Sequence, residues 1–425
     1  MSDRRALSIL LVTQFAPPAG FSATRRTAGL SKYLTRLGHR VTVLTSLASG
    51  RGQMEEVARV IRTRDLTVSG LNWRRGHFKS VRGDGAGTGY AERPSRLASV
   101  MVPDLMLVAW LPFALARAAS EIRSTEVDCV ITTSPPESAH VIGLALKRLY
   151  GRPWVADLQD GWTFESTHPE WPLGAQRRID SALETAVARQ ADLVTTVTEP
   201  LSEDLRRRTG ARVLTLTNAF DPDESARAGK AAVGLREDRF SLVYTGRLAF
   251  ARSTPRPLLD AVRALGRGRP DLAERLEVVF AGPLTDEERA LMEDREVSDC
   301  VRAVGNLDRP DALALQQAAD ALLLVIPPAR PRSVATAKLY EYIATGHPIL
   351  VLGEENAAAE TVRDAGLGVA TSAEDPDRIA SAIAGLMDGD HAPAGGDPGA
   401  VARFGYPAIA RKLAGEIEAL CEARA

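Results

Sequence analysis

The sequence predicts an α/β protein built from two Rossmann-like lobes, and three observations carry that prediction. Short β-branched apolar runs alternate with longer amphipathic stretches, the pattern of parallel βαβ units. The apolar runs are continuous and not alternating, which implies sheets covered on both faces. The whole pattern then stops and restarts near the middle of the chain, so two sheets of similar size fit better than one long one. At 425 residues the chain also exceeds what one ordinary core holds.

In the first half, LSILLVTQ, HRVTVLTS, VDCVITTS, RPWVADL, ADLVTTVT and ARVLTLTN are the strand candidates. Among the segments between them, TRRTAGLSKYLTRLG has apolar residues near helical spacing and stops at Gly38, a helix-ending signal. FSLVYTG, RLEVVFAG, VRAVGN, ADALLLVI, HPILVLG and LGVATS form the second series, from Phe240 to Ser372. The polar, alanine-rich stretch NAFDPDESARAGKAAVGLRED between the halves suits a linker. The expected layout is an N-terminal domain over 1–222, a linker over 223–236 and a C-terminal domain over 237–400. Residues 401–425 hold a last helix, PAIARKLAGEIEALCEA, expected to pack back toward the N-terminal domain. The glycine-rich stretches 79–95 and 389–400 read as loops.

Composition limits the function classes. A formal net charge of -1 argues against broad electrostatic capture of nucleic acid or anionic membrane. Cys129, Cys300 and Cys421 lie far apart with no CxxC pair, so they read as reduced thiols of a cytoplasmic protein. The opening run MSDRRALSILLVTQFAPP is short, β-rich and without a small-residue cleavage site. It reads as a buried first strand, not a secretion signal. Residues 101–116, MVPDLMLVAWLPFALA, carry Asp104 and two prolines and fall below membrane-spanning length. Trp110 within them either packs in a core or touches a membrane surface.

The stretch SVATAKLYEYIATGHPILVL, Ser333 to Leu352, is the most informative. It predicts a helix ended by Gly346 and followed by a buried strand. Lys338 and Glu341 stand at i and i+3 of that helix, on one side. The lysine suits a phosphate and the carboxylate a ribose diol, a pairing used in dinucleotide sites; a plain surface ion pair is the alternative. Upstream, LVYTGRLAFARSTPRPLLDAV runs a strand into Gly246 and Arg247, then Arg252, then a helix near Pro257. Arginines between a strand and a helix N-terminus form a natural diphosphate clamp, unless Arg247 merely pairs a carboxylate.

In the first half, ADLQDGW places Asp157 and Asp160 at a strand end, where open α/β sheets put their ligand sites. Asp160 suits a general base toward an acceptor hydroxyl, or else caps a helix. His140 in SPPESAH is open between a site role and a structural one. Arg25 and Arg26 either meet an anionic ligand or form a solvated helix start. Asp221 and Asp223 form a DPD triplet that reads as turn chemistry, not a metal-binding D-x-D. No metal site is predicted.

YTGRL with a cation five positions after Arg247, followed by KLYEYIATGHPILVL, resembles glycosyltransferase family 4. Further matches stand in the same order: APPAGFSATRRTAGLSKYLTRLGHRVTVLTS, then ADLQDGW, ADLVTTVTEPLSEDL and TNAFDPDE. The resemblance covers nearly the whole chain. It implies the GT-B fold, two Rossmann-like domains with parallel sheets facing across a cleft. It also implies retaining transfer of a sugar from a UDP, GDP or dTDP sugar to an acceptor hydroxyl. Arg247 and Arg252 match the cations that neutralise the donor diphosphate. Glu341 matches the ribose-holding glutamate, with Lys338 and Leu339 on the same helix turn. Gly282, in VVFAGP, matches a close backbone approach to the nucleotide, and Gly20 ends a loop near the phosphates and reacting sugar. The catalytic assignments are Asp160, His140 and Arg247.

The departures concern the donor sugar. Ser333 stands where many members carry a second glutamate, Gln159 replaces an arginine in ADLQDGW, and the N-terminal loop has one glycine in place of a pair. A cyclitol-coupling pseudo-glycosyltransferase, a sugar-nucleotide 2-epimerase and a non-catalytic nucleotide-sugar-binding protein are the competing readings. The expected partners are a nucleotide sugar and a hydroxyl-bearing acceptor (polysaccharide, lipid-linked or natural product), with no nucleic acid and at most transient peripheral membrane contact. No tightly bound cofactor or metal is expected, and the chain is expected to be a bacterial, cytoplasmic monomer or homodimer.

Overall fold

The computed structural model describes residues 5–19, 22–54, 56–66, 101–104, 106–166, 171, 173–229, 233–248, 254–326, 332–389 and 398–424. The chain divides into two compact units. One is residues 1–218 with 406–425, and the other is residues 219–405.

The first unit holds a seven-stranded parallel sheet. Its strands are β1 (Ser8–Val12), β2 (Arg40–Ser46), β3 (Arg59–Thr63), β4 (Cys129–Ser134), β5 (Trp154–Leu158), β6 (Leu193–Thr196) and β7 (Val213–Thr215). They lie in the order β3-β2-β1-β4-β5-β6-β7. Helices α1 (Ser22–Arg36), α2 (Met106–Ala109), α3 (Leu111–Ser124), α4 (Ser138–Tyr150), α5 (Gly174–Gln190) and α6 (Glu199–Thr209) accompany it. The six strands expected from sequence all form. β3, RVIRT, was not anticipated: it sits at the sheet edge, where two arginines interrupt the apolar run.

The second unit has a six-stranded parallel sheet, β8 (Phe240–Thr245), β9 (Leu276–Ala281), β10 (Val301–Gly305), β11 (Ala321–Val325), β12 (Ile349–Leu352) and β13 (Gly368–Thr371). Their order is β10-β9-β8-β11-β12-β13. Its helices are α7 (Pro222–Ala226), α8 (Arg256–Gly268), α9 (Pro270–Ala273), α10 (Asp286–Met292), α11 (Arg309–Ala318), α12 (Ala337–Thr345), α13 (Ala357–Ala365), α14 (Pro376–Asp388) and α15 (Pro398–Ala402). Both sheets reverse strand order beside their first strand, at β1/β4 and β8/β11, so each is doubly wound with a crevice at the carboxyl ends of those strands. Central strands such as β4, β5 and β9 are buried along their whole length, as sheets covered on both faces require. Full burial of each large apolar side chain stabilises the fold by about 1.5–3 kcal/mol.

The expected boundaries shift. The stretch 223–236, expected as a linker, groups with the second unit, and α7 begins only four residues past Asn218. The final helix α16 (Tyr406–Glu422) groups with the first unit. There it packs on α1: the Tyr33 and Tyr406 rings stack with centroids 6.5 Å apart. A Cβ on Gly29 would lie 2.4 Å from the Tyr406 ring, so only glycine admits the helix this closely. Trp110 is fully buried and donates its indole N–H to Thr63 Oγ1 at 2.9 Å, which makes it a core residue. Among the described residues no helix is long and apolar enough to cross a membrane.

Candidate functional site

The second unit places its sequence-predicted residues at the β8/β11 switch point. β8 ends at Thr245 and turns through Gly246 (φ 111) into Arg247. α12 is the helix that follows β11, and it ends at Gly346 as expected. Lys338 Nζ sits 3.9 Å above the centroid of the Tyr244 ring. The same atom lies 2.8 Å from where a Cβ of Gly246 would stand, so a side chain there would displace the ammonium. Burial raises the Tyr244 phenol above its ordinary pKa, and its hydroxyl donates to the Arg247 carbonyl at 2.9 Å. This bond fixes the backbone turn while the Arg247 side chain stays exposed.

The start of α12 is suited to an anion. Thr336, its N-cap residue, makes no side-chain cap bond, and its Oγ1 is buried without a partner among the described residues. The helix therefore keeps the partial positive charge of its orphan N–H groups, with Lys338 in its first turn. Leu339 is fully buried in the core and its N–H bonds the Thr336 carbonyl at 3.0 Å, so its side chain faces no ligand. Ser333 is buried, 5% exposed.

One turn on, Glu341 is held by residues that the sequence reading missed. Arg309 Nη1 donates to Glu341 Oε1 at 3.0 Å, and Gln316 Nε2 approaches Oε2 at 3.5 Å. Gln316 also donates to Thr245 Oγ1 at 2.9 Å, and the Thr245 N–H donates to Tyr342 Oη at 2.9 Å. The end of β8, α11 and α12 thus share one polar network. Its only sequence signal is the seven-residue spacing of Arg309 and Gln316, which puts both on one face of α11. Gly282 (φ 148) also packs against the neighbouring strand end: a Cβ there would meet the Gly246 carbonyl oxygen at 2.2 Å. It lets the ends of β8 and β9 touch backbone to backbone. Gly20 and Arg252 lie outside the described residues.

In the first unit, Asp157 ends β5 as a fully enclosed acceptor. Arg26 Nη2 donates to its Oδ1 at 2.7 Å and Arg26 Nε to its Oδ2 at 2.9 Å. Thr195 and Thr133 hydroxyls add bonds of 2.6 Å and 2.8 Å. Burial alone would raise this carboxyl, but the Arg26 charge and the bonds from Arg26, Thr195 and Thr133 overcome it and hold the pKa low. Arg26 is 1% exposed and also bonds the carbonyls of Leu216 and Thr217. It is neither a phosphate ligand nor a solvated helix start. Asp160, two residues past β5, is half-buried beside Trp162 and Glu184. Among the described residues no helix begins directly after it, α5 starting at Gly174. Gln159 Nε2 donates to Thr133 Oγ1 at 3.0 Å. Asp221 caps α7 by accepting the Asp223 N–H at 3.0 Å.

His140 is fully buried on α4. Trp154 Nε1 donates to Thr132 Oγ1 at 2.9 Å, leaving that hydroxyl to donate to His140 Nδ1 at 2.8 Å. The ring is thus bound through Nδ1 to a hydroxyl that also receives the Trp154 indole N–H. Burial lowers its pKa to about 4 against the raising influence of Glu137 and Asp157. Near it, burial and the Glu137 charge raise Asp104 to about 7, although it accepts the Met106 and Ser138 N–H groups at 2.7 Å and 2.8 Å.

Known proteins complete the picture. Residues 23–219 match the glycosyl transferase 4-like domain, and residues 239–389 match glycosyl transferases group 1. The chain belongs to glycosyltransferase family 4. This family 4 member is 27% identical to a glycogen synthase of Mycobacterium tuberculosis over 58% of this chain and 57% of that one. It is 29% identical to D-inositol 3-phosphate glycosyltransferase 2 of Catenulispora acidiphila over 61% of this chain and 66% of that one. The glycogen synthase match thus spans little more than half of the relative's length. Sucrose-phosphate synthase from Thermosynechococcus elongatus superposes with TM-score 0.66 at 18% identity, covering 98% of this chain and 100% of that one. An Anabaena protein solved in complex with UDP-glucose gives TM-score 0.61 at 16% identity, covering 97% and 100%. At such identities the likeness establishes the fold alone, which is GT-B.

Proposed function

We propose that this chain is a retaining glycosyltransferase that takes its sugar from a nucleoside-diphosphate sugar bound to the second unit. The observation that carries the proposal is the convergence at β8/β11 of three features. These are an uncapped helix N-terminus with Lys338 in its first turn, the exposed Arg247, and the Glu341 carboxylate one turn further on. The diphosphate would lie against the α12 N-terminus, Lys338 and Arg247, and Glu341 would accept hydrogen bonds from ribose hydroxyls.

In the reaction the bond between the anomeric carbon and the phosphate oxygen breaks, with its electron pair leaving on the nucleoside diphosphate. An acceptor hydroxyl oxygen bonds to the anomeric carbon on the same face and its proton passes to the departing phosphate oxygen. Arg247, Lys338 and a helix dipole stabilise the charge that develops on the leaving group, so a divalent ion is not needed for that task. Asp160 is assigned to hold the acceptor hydroxyl. His140 receives no proton-transfer role: a ring of pKa about 4 is a weak base at neutral pH.

The test is a thermal-shift screen of UDP, GDP and dTDP and their sugars in chelator, since a ligand of the native state raises the midpoint. The ligand that shifts it would then be supplied with acceptors, and the anomeric configuration of the product read by NMR. Absence of any shift, or an inverted product, would overturn the proposal.

A further inference from the structure

We infer that Arg309 is a positioning residue for the nucleotide's ribose, acting through Glu341, and that Glu224 on α7 holds Arg309 for that task. The inference rests on the donor site proposed above but concerns residues that the site reading leaves unassigned.

The guanidinium of Arg309 meets two carboxylates at once. Its Nε and Nη2 both bond Glu224, the Nη2 contact to Oε2 being 2.6 Å. Its third nitrogen, Nη1, reaches Glu341 Oε1 at 3.0 Å. A two-nitrogen fork on one carboxylate fixes the plane of a guanidinium, so Glu224 determines where Nη1 points. Glu341 is only 11% exposed while Arg309 and Glu224 are 37% and 39% exposed. The enclosed carboxylate therefore owes its orientation to a partner standing nearer the solvent. Arg309 takes up Oε1, while Gln316, on the same face of α11, stands at the outer limit of bonding range from Oε2. Glu341 alone, on a flexible stem, would have to give up rotamer freedom on binding; Arg309 removes that cost beforehand.

The discriminating measurement is calorimetric titration of the full chain with UDP and GDP, each beside its 2′,3′-dideoxy counterpart, and with dTDP, which lacks the 2′-hydroxyl, beside its 3′-deoxy counterpart. The wild type should favour the hydroxylated member of its preferred pair by about tenfold, as a bond to a charged acceptor supplies. Arg309→Met keeps the apolar stem and should bring that ratio close to one by weakening the hydroxylated nucleotide while leaving the dideoxy form unchanged. Arg309→Lys should recover part of the ratio. Glu224→Gln, on a half-exposed side chain, should lower it by a smaller factor. A wild-type ratio surviving in both Arg309→Met and Glu224→Gln would overturn the inference while leaving the donor site intact. So would an Arg309→Met protein that loses both ligands equally. A wild type that binds no nucleotide, or binds without a hydroxyl preference, would sink the Glu341 assignment itself.

Discussion

Arg26 and Asp157, 131 residues apart, form an ion pair with side-chain exposures of 1% and 2%. Asp157 is at the same time the acceptor for the Thr133 and Thr195 hydroxyls, at the ends of β4 and near the end of β6. One carboxylate thus ties α1 to the carboxyl edges of three strands. Arg26, through the Leu216 and Thr217 carbonyls, also secures the last residues before the chain leaves the first unit.

Removing one member of such a pair leaves a buried charge uncompensated, at a cost of about 3–5 kcal/mol. Arg26→Met and Asp157→Leu should each lower the urea midpoint strongly, and the double variant should lose less than the sum of the two. Additive losses would show that the residues do not act as a pair. The Asp157 contribution is present above the ordinary carboxylate pKa and is lost as pH falls below it through the depressed folded value.

His140 and Asp104 should impose opposite pH slopes on stability. His140, lowered to about 4, contributes stability that is complete above its unfolded value near 6.5 and is lost as pH falls to about 4, on the order of 3 kcal/mol in all. Asp104, raised to about 7, contributes stability that is complete below the ordinary carboxylate pKa and is lost as pH rises through 7. His140→Gln should therefore make stability fall as pH rises from 4 to 7, and Asp104→Asn should make it rise. Urea titrations at four or five pH values would show this, and parallel profiles for the two variants would refute it.

Glu341→Ala and Arg247→Ala should each weaken nucleoside-diphosphate binding by about 10- to 100-fold, the range expected for one lost charged hydrogen bond. Turnover should fall with them. Near-normal affinity and rate in either variant would remove that residue from the site.

Gly282→Ala should destabilise the second unit by roughly 1–3 kcal/mol, through a strained φ and a clash with the Gly246 carbonyl. An unchanged melting midpoint would mean that the β8 and β9 ends can separate freely.

Both doubly wound sheets were legible because parallel strands buried on two faces leave unbroken β-branched runs, and α12 was legible from Gly346 at its end and the buried strand after it. β3 was not, since an edge strand such as RVIRT can carry arginines that erase the apolar signal. The candidate site could be read from the sequence only where its residues lie close together, as Lys338 and Glu341 do. Arg309 and Glu224, 85 positions apart, share no periodicity, and neither do Arg26 and Asp157. Such pairs become visible only once the strands are stacked. Gly282 stood out in the sequence as a match to a nucleotide-facing backbone position; its packing against Gly246 has no sequence signal.

The first unit is completed by α16, so the second unit, residues 219–405, is in effect an insertion into it. The two ends of that insertion are stitched together, with the Phe220 N–H donating to the Phe404 carbonyl at 3.2 Å. On the ribosome this ordering imposes a wait. The α1 face around Gly29 and Tyr33 stays uncovered until 187 further residues have been made, roughly 10–40 s at ordinary elongation rates. The nascent first unit is thus the stage of this protein's life with most call for a chaperone, and a chain truncated before Tyr406 would remain in it.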